Sequence, residues 1–274
     1  MDASLLGLIL GAIVGLILAF TGAGGGILAV PMLVFGLHLT MMEAAPVGLI
    51  AVGASAAFGA LLGLRAGQVR YRAAALIGAV GMAIAPLGVM LAHVLPNAPL
   101  LVVFAFVLAL VAWRMFRQTL PRRAGTAAPA AGAERPCRMN PADGRLHWTA
   151  PCARALAGTG AVAGILSGLL GVGGGFVIVP ALTHYTEIEV RSILATSLAV
   201  IALVSVGGVT AAAVRGTVHW PVAGPFAVGA IVALVLGRQV AARLAGPHLQ
   251  RAFAVVSGAT AVLLLARGMG WLGL

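Results

Sequence analysis

A chain of 274 residues that is 61% hydrophobic and only 8% charged cannot cover a water-soluble globule, for which about 25% charged residues is usual. The net charge of +11 comes wholly from 17 arginines. Set between apolar runs long enough to span a bilayer, they read as cytoplasmic loops under the positive-inside rule and not as a nucleic-acid surface. No alternation of apolar and polar residues suggests a membrane β-barrel.

Eight apolar segments follow one another, at 4–35, 44–64, 71–94, 98–117, 155–184, 193–214, 220–245 and 250–270. The first is read as a retained helix and not a signal peptide, because it carries Asp2, lacks a basic leader and has an internal copy. It is also interrupted. In "LAFTGAGGGILAVPML", Gly22, Gly24, Gly25, Gly26 and Pro31 fall within an apolar run, although interior glycine costs a helix about 1 kcal/mol and proline about 3. The fifth segment repeats the interruption in "LSGLLGVGGGFVIVPAL", with Gly171, Gly173, Gly174, Gly175 and Pro180.

A constant offset of 149 residues relates the two. It also lays "AGQVRY" (66–71) on "RGTVHW" (215–220) and Phe104 on Phe253. The expected fold is all-α and integral to the membrane. It has eight transmembrane helices in two homologous four-helix repeats, with a glycine-broken first helix in each. The repeats occupy 1–117 and 154–274, joined by a polar cytoplasmic linker at 118–153. Eight simple crossings would place 13 of the 17 arginines on the side of the N-terminus, putting both termini in the cytoplasm and making the repeats parallel. A re-entrant glycine segment would invert the repeats and undo that count. Cys137 and Cys152 lie in the linker without a CxxC pair or a histidine cluster. They are expected to be reduced thiols, not a disulfide or a metal site.

Irregular backbone survives at membrane depth only inside protein or beside a wet cavity. A glycine run lets several amides converge. With a half-helix starting at "ILAVPML" or "FVIVPAL", such a nest favours an anion; Pro31 and Pro180 are expected to kink or end that half-helix. Spaced glycines such as Gly7, Gly11, Gly15 and Gly160, Gly164, Gly168 are instead read as packing positions. In "LATSLAV", Thr196 and Ser197 offer hydroxyls to a substrate, against the usual tendency of such groups to bond their own helix. The six acidic residues lie at segment ends or in loops, which disfavours carboxylate-based proton or sodium coupling and suggests uniport. The histidines near segment ends are read as interfacial. No Ser–His pair, paired aspartates or HExxH motif suggests an enzyme.

The paired "GAGGGILAVPML" and "GVGGGFVIVPAL", with "ATSL" in the second half, resemble the TauE/SafE sulfite-exporter family of membrane transporters over nearly the whole chain. The resemblance implies export of sulfite or a related sulfur oxyanion or organosulfonate across the inner, cytoplasmic membrane. The substrate-binding candidates are Gly22, Gly24, Gly25, Gly26, Pro31, Gly171, Gly173, Gly174, Gly175, Pro180, Thr196 and Ser197. No metal and no cofactor is implied. The partners are a small inorganic or organosulfur anion and the lipid bilayer, with no nucleic acid; self-association is left open. Alternatives are an anion channel or uniporter, or a carrier of a different small carboxylate. Where the family often has a "GTSL"-like first-half segment, this chain has "PVGL" (46–49). The expected mechanism is alternating access, with one half rocking against the other.

Overall fold

The computed structural model describes residues 3–119, 136–137, 148–244 and 247–270. Among the described residues, all the regular elements are helical. Helix α1 (Ala3–Thr21) runs into a 3-10 helix (Gly22–Leu28) and then α2 (Ala29–Gly36). Helices α3 (Met41–Arg65), α4 (Tyr71–Val94) and α5 (Asn97–Thr119) complete the first half. The second half comprises α6 (Ala150–Leu170), α7 (Gly175–Tyr185), α8 (Val190–Val214), α9 (Trp220–Leu244) and α10 (Pro247–Gly268). Adding 149 to the bounds of α3 gives those of α8 at both ends, so the offset read in the sequence extends to the helix limits. Seven helices are long and apolar enough to cross a membrane; Ser4–Phe20, Gly25–Gly36 and Gly175–Tyr185 are shorter apolar helices.

The glycine stripes set the packing. A Cβ at Gly11 would strike the carbonyl of Phe226, and one at Gly15 that of Ala230, so α1 lies directly on the backbone of α9. Gly160, Gly164 and Gly168 press α6 in the same way on Ile77, Gly81 and Ala85 of α4. Residue numbers rise together in both pairs, so each pair is parallel. Lipid gives no hydrophobic drive between helices, and close backbone approach through small residues supplies dispersion contact instead. The central pair behaves differently. Leu49 meets Gly208, Gly53 meets Ser205 and Gly63 meets Ala195, so α3 and α8 cross antiparallel.

These directions fix the path. If α1 runs upward, so does α9. Helix α8, joined to α9 by the short link 215–219, then runs down, α3 runs up and α4 runs down. Helix α6 follows α4 downward. Since α1 and α3 both rise, α2 must return to the lower end. Gly36 at its close indeed lies against Leu10 of α1. The same logic returns α7 to the upper end. The interruptions are thus hairpins, and the assumption of eight simple crossings fails.

The start of α1 and the end of α10 now lie at the lower end, and the end of α5 and the start of α6 at the upper. The outermost helix ends and the helix ends that join the two halves therefore do not share a side. Among the described arginines, Arg215 and Arg267 fall at the lower end, and Arg65, Arg70, Arg72, Arg114, Arg117, Arg154, Arg191 and Arg251 at the upper.

The expectation for the cysteines is also corrected, since Cys137 and Cys152 form a disulfide, with Cα atoms 4.9 Å apart. Cys152 sits in the first turn of α6, capped by Thr149, whose hydroxyl accepts the Cys152 N–H. The Cys137 N–H donates to the carbonyl of Tyr185 at the end of α7. The return of α7 brings the two cysteines together, and no linear spacing rule reveals that.

Candidate functional site

The two hairpin tips meet at the middle of the bundle. A Cβ at Gly26 would contact Val52 of α3 at 2.8 Å and the carbonyl of Val172 at 3.4 Å. One at Gly173 would contact Ile201 of α8 at 2.7 Å and Val52 at 3.3 Å. Val52 and Ile201 occupy matching places in the two halves, so the tips face each other across the α3–α8 crossing.

The tips differ in form. In the second, Gly171, Gly173 and Gly174 have φ of 74°, 76° and 71°, a region that side chains other than glycine rarely enter. Gly171 closes α6, donating its N–H to the carbonyl of Ser167. Gly174 precedes α7, whose N-terminus has no side-chain cap. Left-handed glycines thus flank this tip, and the positive end of a half-helix lies at its edge. The first tip is a 3-10 helix leading directly into α2. Gly22 and Gly24 lie in it, and their surroundings fall outside the described residues; Gly25, Gly26 and Pro31 are buried.

Neither proline ends its half-helix. Pro31 is the third residue of α2, where a missing N–H costs little, and Pro180 lies within α7. Gly175 is buried at the start of α7 and Pro180 is half-buried.

Thr196 and Ser197 are both fully buried, and their hydrogen bonds are internal. Thr196 Oγ1 accepts the backbone N–H of Arg70 at 3.0 Å, joining α8 to the residue before α4. The Ser197 hydroxyl donates to the carbonyl of Leu194 at 2.8 Å. The "PVGL" departure has a steric reason, because a Cβ at Gly48 would stand 3.2 Å from the Gly171 carbonyl. A serine there would crowd the second tip.

Access comes from the lower end. A cavity of about 570 Å³ is lined by Glu43, Asn97, Thr217, His219 and Trp220, among others. The sequence from Thr40 to Glu43 forms a capping box that starts α3 at the cavity edge: Thr40 N–H donates to Glu43 Oε2 at 2.9 Å, and Thr40 Oγ1 accepts from Glu43 N–H. The other Glu43 oxygen lies 3.3 Å from His219 Nε2, bridging the start of α3 to the start of α9. Deeper in the bundle is a second pocket of about 20 Å³, lined by Pro46, Leu49, His93, Gly171 and Gly208. That is room for roughly one water. Met42 lines both spaces.

Some polar groups here escaped the sequence reading. The hydroxyls of Ser55 on α3 and Ser205 on α8 are buried without a partner near the crossing, as is Nε2 of His93. A serine in an apolar helix gives no sequence signal of whether it faces a neighbour's backbone or an open path.

The family model for "Sulfite exporter TauE/SafE" matches residues 7–264. The chain belongs to the TauE/SafE sulfite exporter family. Two relatives from Xylella fastidiosa, each named "Probable membrane transporter protein", are 32% identical to it. They come from strains Temecula1 and 9a5c, and each alignment covers 94% of this chain and 93% of the relative. No solved structure matches. With seven helices fit to span, the family membership makes this a multi-pass membrane transporter.

Proposed function

We propose that this TauE/SafE member exports a small oxyanion, sulfite or a related sulfur oxyanion or organosulfonate, through the point where its two glycine hairpins meet. The observation that carries the reading is the convergence of both tips on Val52 at the α3–α8 crossing, with a cavity leading toward the second tip. Backbone amides of Gly173 and Gly174, the start of α7 and the unpartnered hydroxyls of Ser55 and Ser205 are the donors this reading offers to an anion. Thr196 and Ser197 are assigned to the scaffold, since each already holds a partner.

The architecture in this reading is eight crossings, α1, α3, α4, α5, α6, α8, α9 and α10, with α2 and α7 as returning half-helices. Each half runs opposite to the other, the inverted arrangement common in secondary transporters. The lower end, which among the described arginines carries Arg215 and Arg267 alone, faces outward and the upper end faces the cytoplasm of the inner membrane. The cavity therefore opens outward, and Thr196 with Arg70 belongs to the closed inner side. An anion leaving a negative interior gains about 2.3 kcal/mol per charge per 100 mV.

Flux of radiolabelled sulfite from proteoliposomes tests the substrate. The expectation is saturable flux that Gly174→Val abolishes while membrane insertion persists. Absence of flux for every sulfur oxyanion overturns the substrate reading, and single-channel currents well above carrier turnover would make the protein a channel.

A further inference from the structure

His93 ends the lower part of α4, and its surroundings set it apart from the other histidines. Its Nδ1 lies 2.8 Å from the carbonyl of Val89, one turn back on the same helix. A carbonyl can only accept, so Nδ1 carries a proton and donates it. This leaves Nε2 as the ring's free position. That atom is buried and has no hydrogen-bond partner. The residue lines the small pocket that also contains Gly171, the first left-handed residue of the second tip. Met42 lines both this pocket and the wide cavity.

The other walls carry no charge. Helix α3 contributes Met42, Ala45, Pro46 and Leu49, α6 contributes Gly168, and α8 contributes Gly208 and Ala212. The titratable side chains nearest along the path are Glu43 and His219, paired with each other in the outer cavity and partly exposed.

We infer that His93 Nε2 is an anion-binding position in the path, where the anion inserts one oxygen, the size of the water the pocket has room for, with one proton shared between Nε2 and that oxygen. A neutral Nε2 presents a lone pair, which repels a bare oxyanion. The contact becomes attractive once a proton lies between the two, on the imidazole facing a dianion or on the oxygen of a hydrogen-oxyanion facing neutral imidazole. Both descriptions contain the same single proton. It is withdrawn from water when the anion arrives and returned when the anion departs, so no bond to sulfur changes. A divalent oxyanion then passes this point with one negative charge fewer.

The inference rests on the proposed anion path, and one experiment separates the two. Sulfite flux is measured in proteoliposomes from about pH 6 to about pH 8.5, for the wild type, for His93→Gln and for the double variant Glu43→Gln with His219→Gln. Sulfite's own protonation is common to all three, so differences in slope belong to the protein. For the wild type, KM rises about tenfold per pH unit on the alkaline side, as one linked proton requires. In His93→Gln, whose amide donates or accepts without titrating, transport persists with a raised KM and a nearly flat profile. The double variant keeps the wild-type slope.

A flat wild-type profile overturns the inference and needs no variant. So does a His93→Gln profile as steep as the wild type, or loss of the slope in the double variant, which would place the proton on Glu43 or His219. No wild-type flux at any pH removes the anion path itself, and this assignment with it.

Discussion

Glycines of one composition serve three purposes along this chain, and the residue beside each decides which. Gly164 faces the carbonyl of Gly81, whereas Gly158, one and a half turns earlier, faces open space. Gly164→Leu should therefore force α6 off α4 and cost at least the 1–3 kcal/mol typical of overpacking. Gly158→Ala should be neutral or slightly stabilising. Thermal unfolding in detergent, followed by the loss of the monodisperse peak, reads both. The packing role was legible in the four-residue spacing, because the period of a helix is visible in one segment. The role of Thr196 was not, since its partner lies 126 residues away. Thr196→Val keeps the shape and strands the Arg70 N–H, at a cost of about 1 kcal/mol. It should also raise labelling of cysteines introduced on the upper side, as the closed end loosens; unchanged labelling would leave Thr196 without a gating part.

Among the elements, the hairpins hold the largest difference between sequence and structure. A glycine run announces a break but not the direction of the chain after it, and a kinked crossing and a return have the same local composition. Only contacts between distant helices tell them apart. The disulfide follows from that return and fastens it. Cys137→Ser should cost about 3 kcal/mol, the loop-closure value for a crosslink spanning 15 residues, seen as a lower unfolding temperature without change in helix content. Gly174→Ala introduces a side chain at φ 71°, 2.8 Å from the Ala163 carbonyl. It should lower transport more than stability, since it reshapes the tip and leaves the long helices untouched. Equal loss of both would make the turn purely structural.

For the molecule as a whole, the arginine rule reverses its answer once the hairpins are known. With eight simple crossings, 13 of the 17 arginines fall on the side of the N-terminus; with returning half-helices, Arg215 and Arg267 are on that side and the described Arg65, Arg70, Arg72, Arg114, Arg117, Arg154, Arg191 and Arg251 are on the other. The N- and C-termini should then lie outside. Alkaline phosphatase fused at the C-terminus should be active and a fluorescent protein there dark. A bright fusion would reverse the orientation and place the disulfide in the oxidising compartment; in the orientation proposed, both sulfurs face the reducing one but are fully buried. The expected rocking of one half against the other is replaced, because α1 belongs physically with α9, and α6 with α4. Any rigid bodies must be drawn from both halves.

That exchange of partners also sets a timetable for the protein's birth. Gly11 and the Phe226 backbone it rests on are 215 positions apart in the chain. At about 5–20 residues per second, the ribosome delivers the second some 10–40 s after the first. Throughout that interval the glycine groove of α1 has only lipid, or a membrane chaperone, to lie against. The helix made first is among the last to find its seat, and a nascent chain halted after α5 would be missing a partner, not merely half-finished.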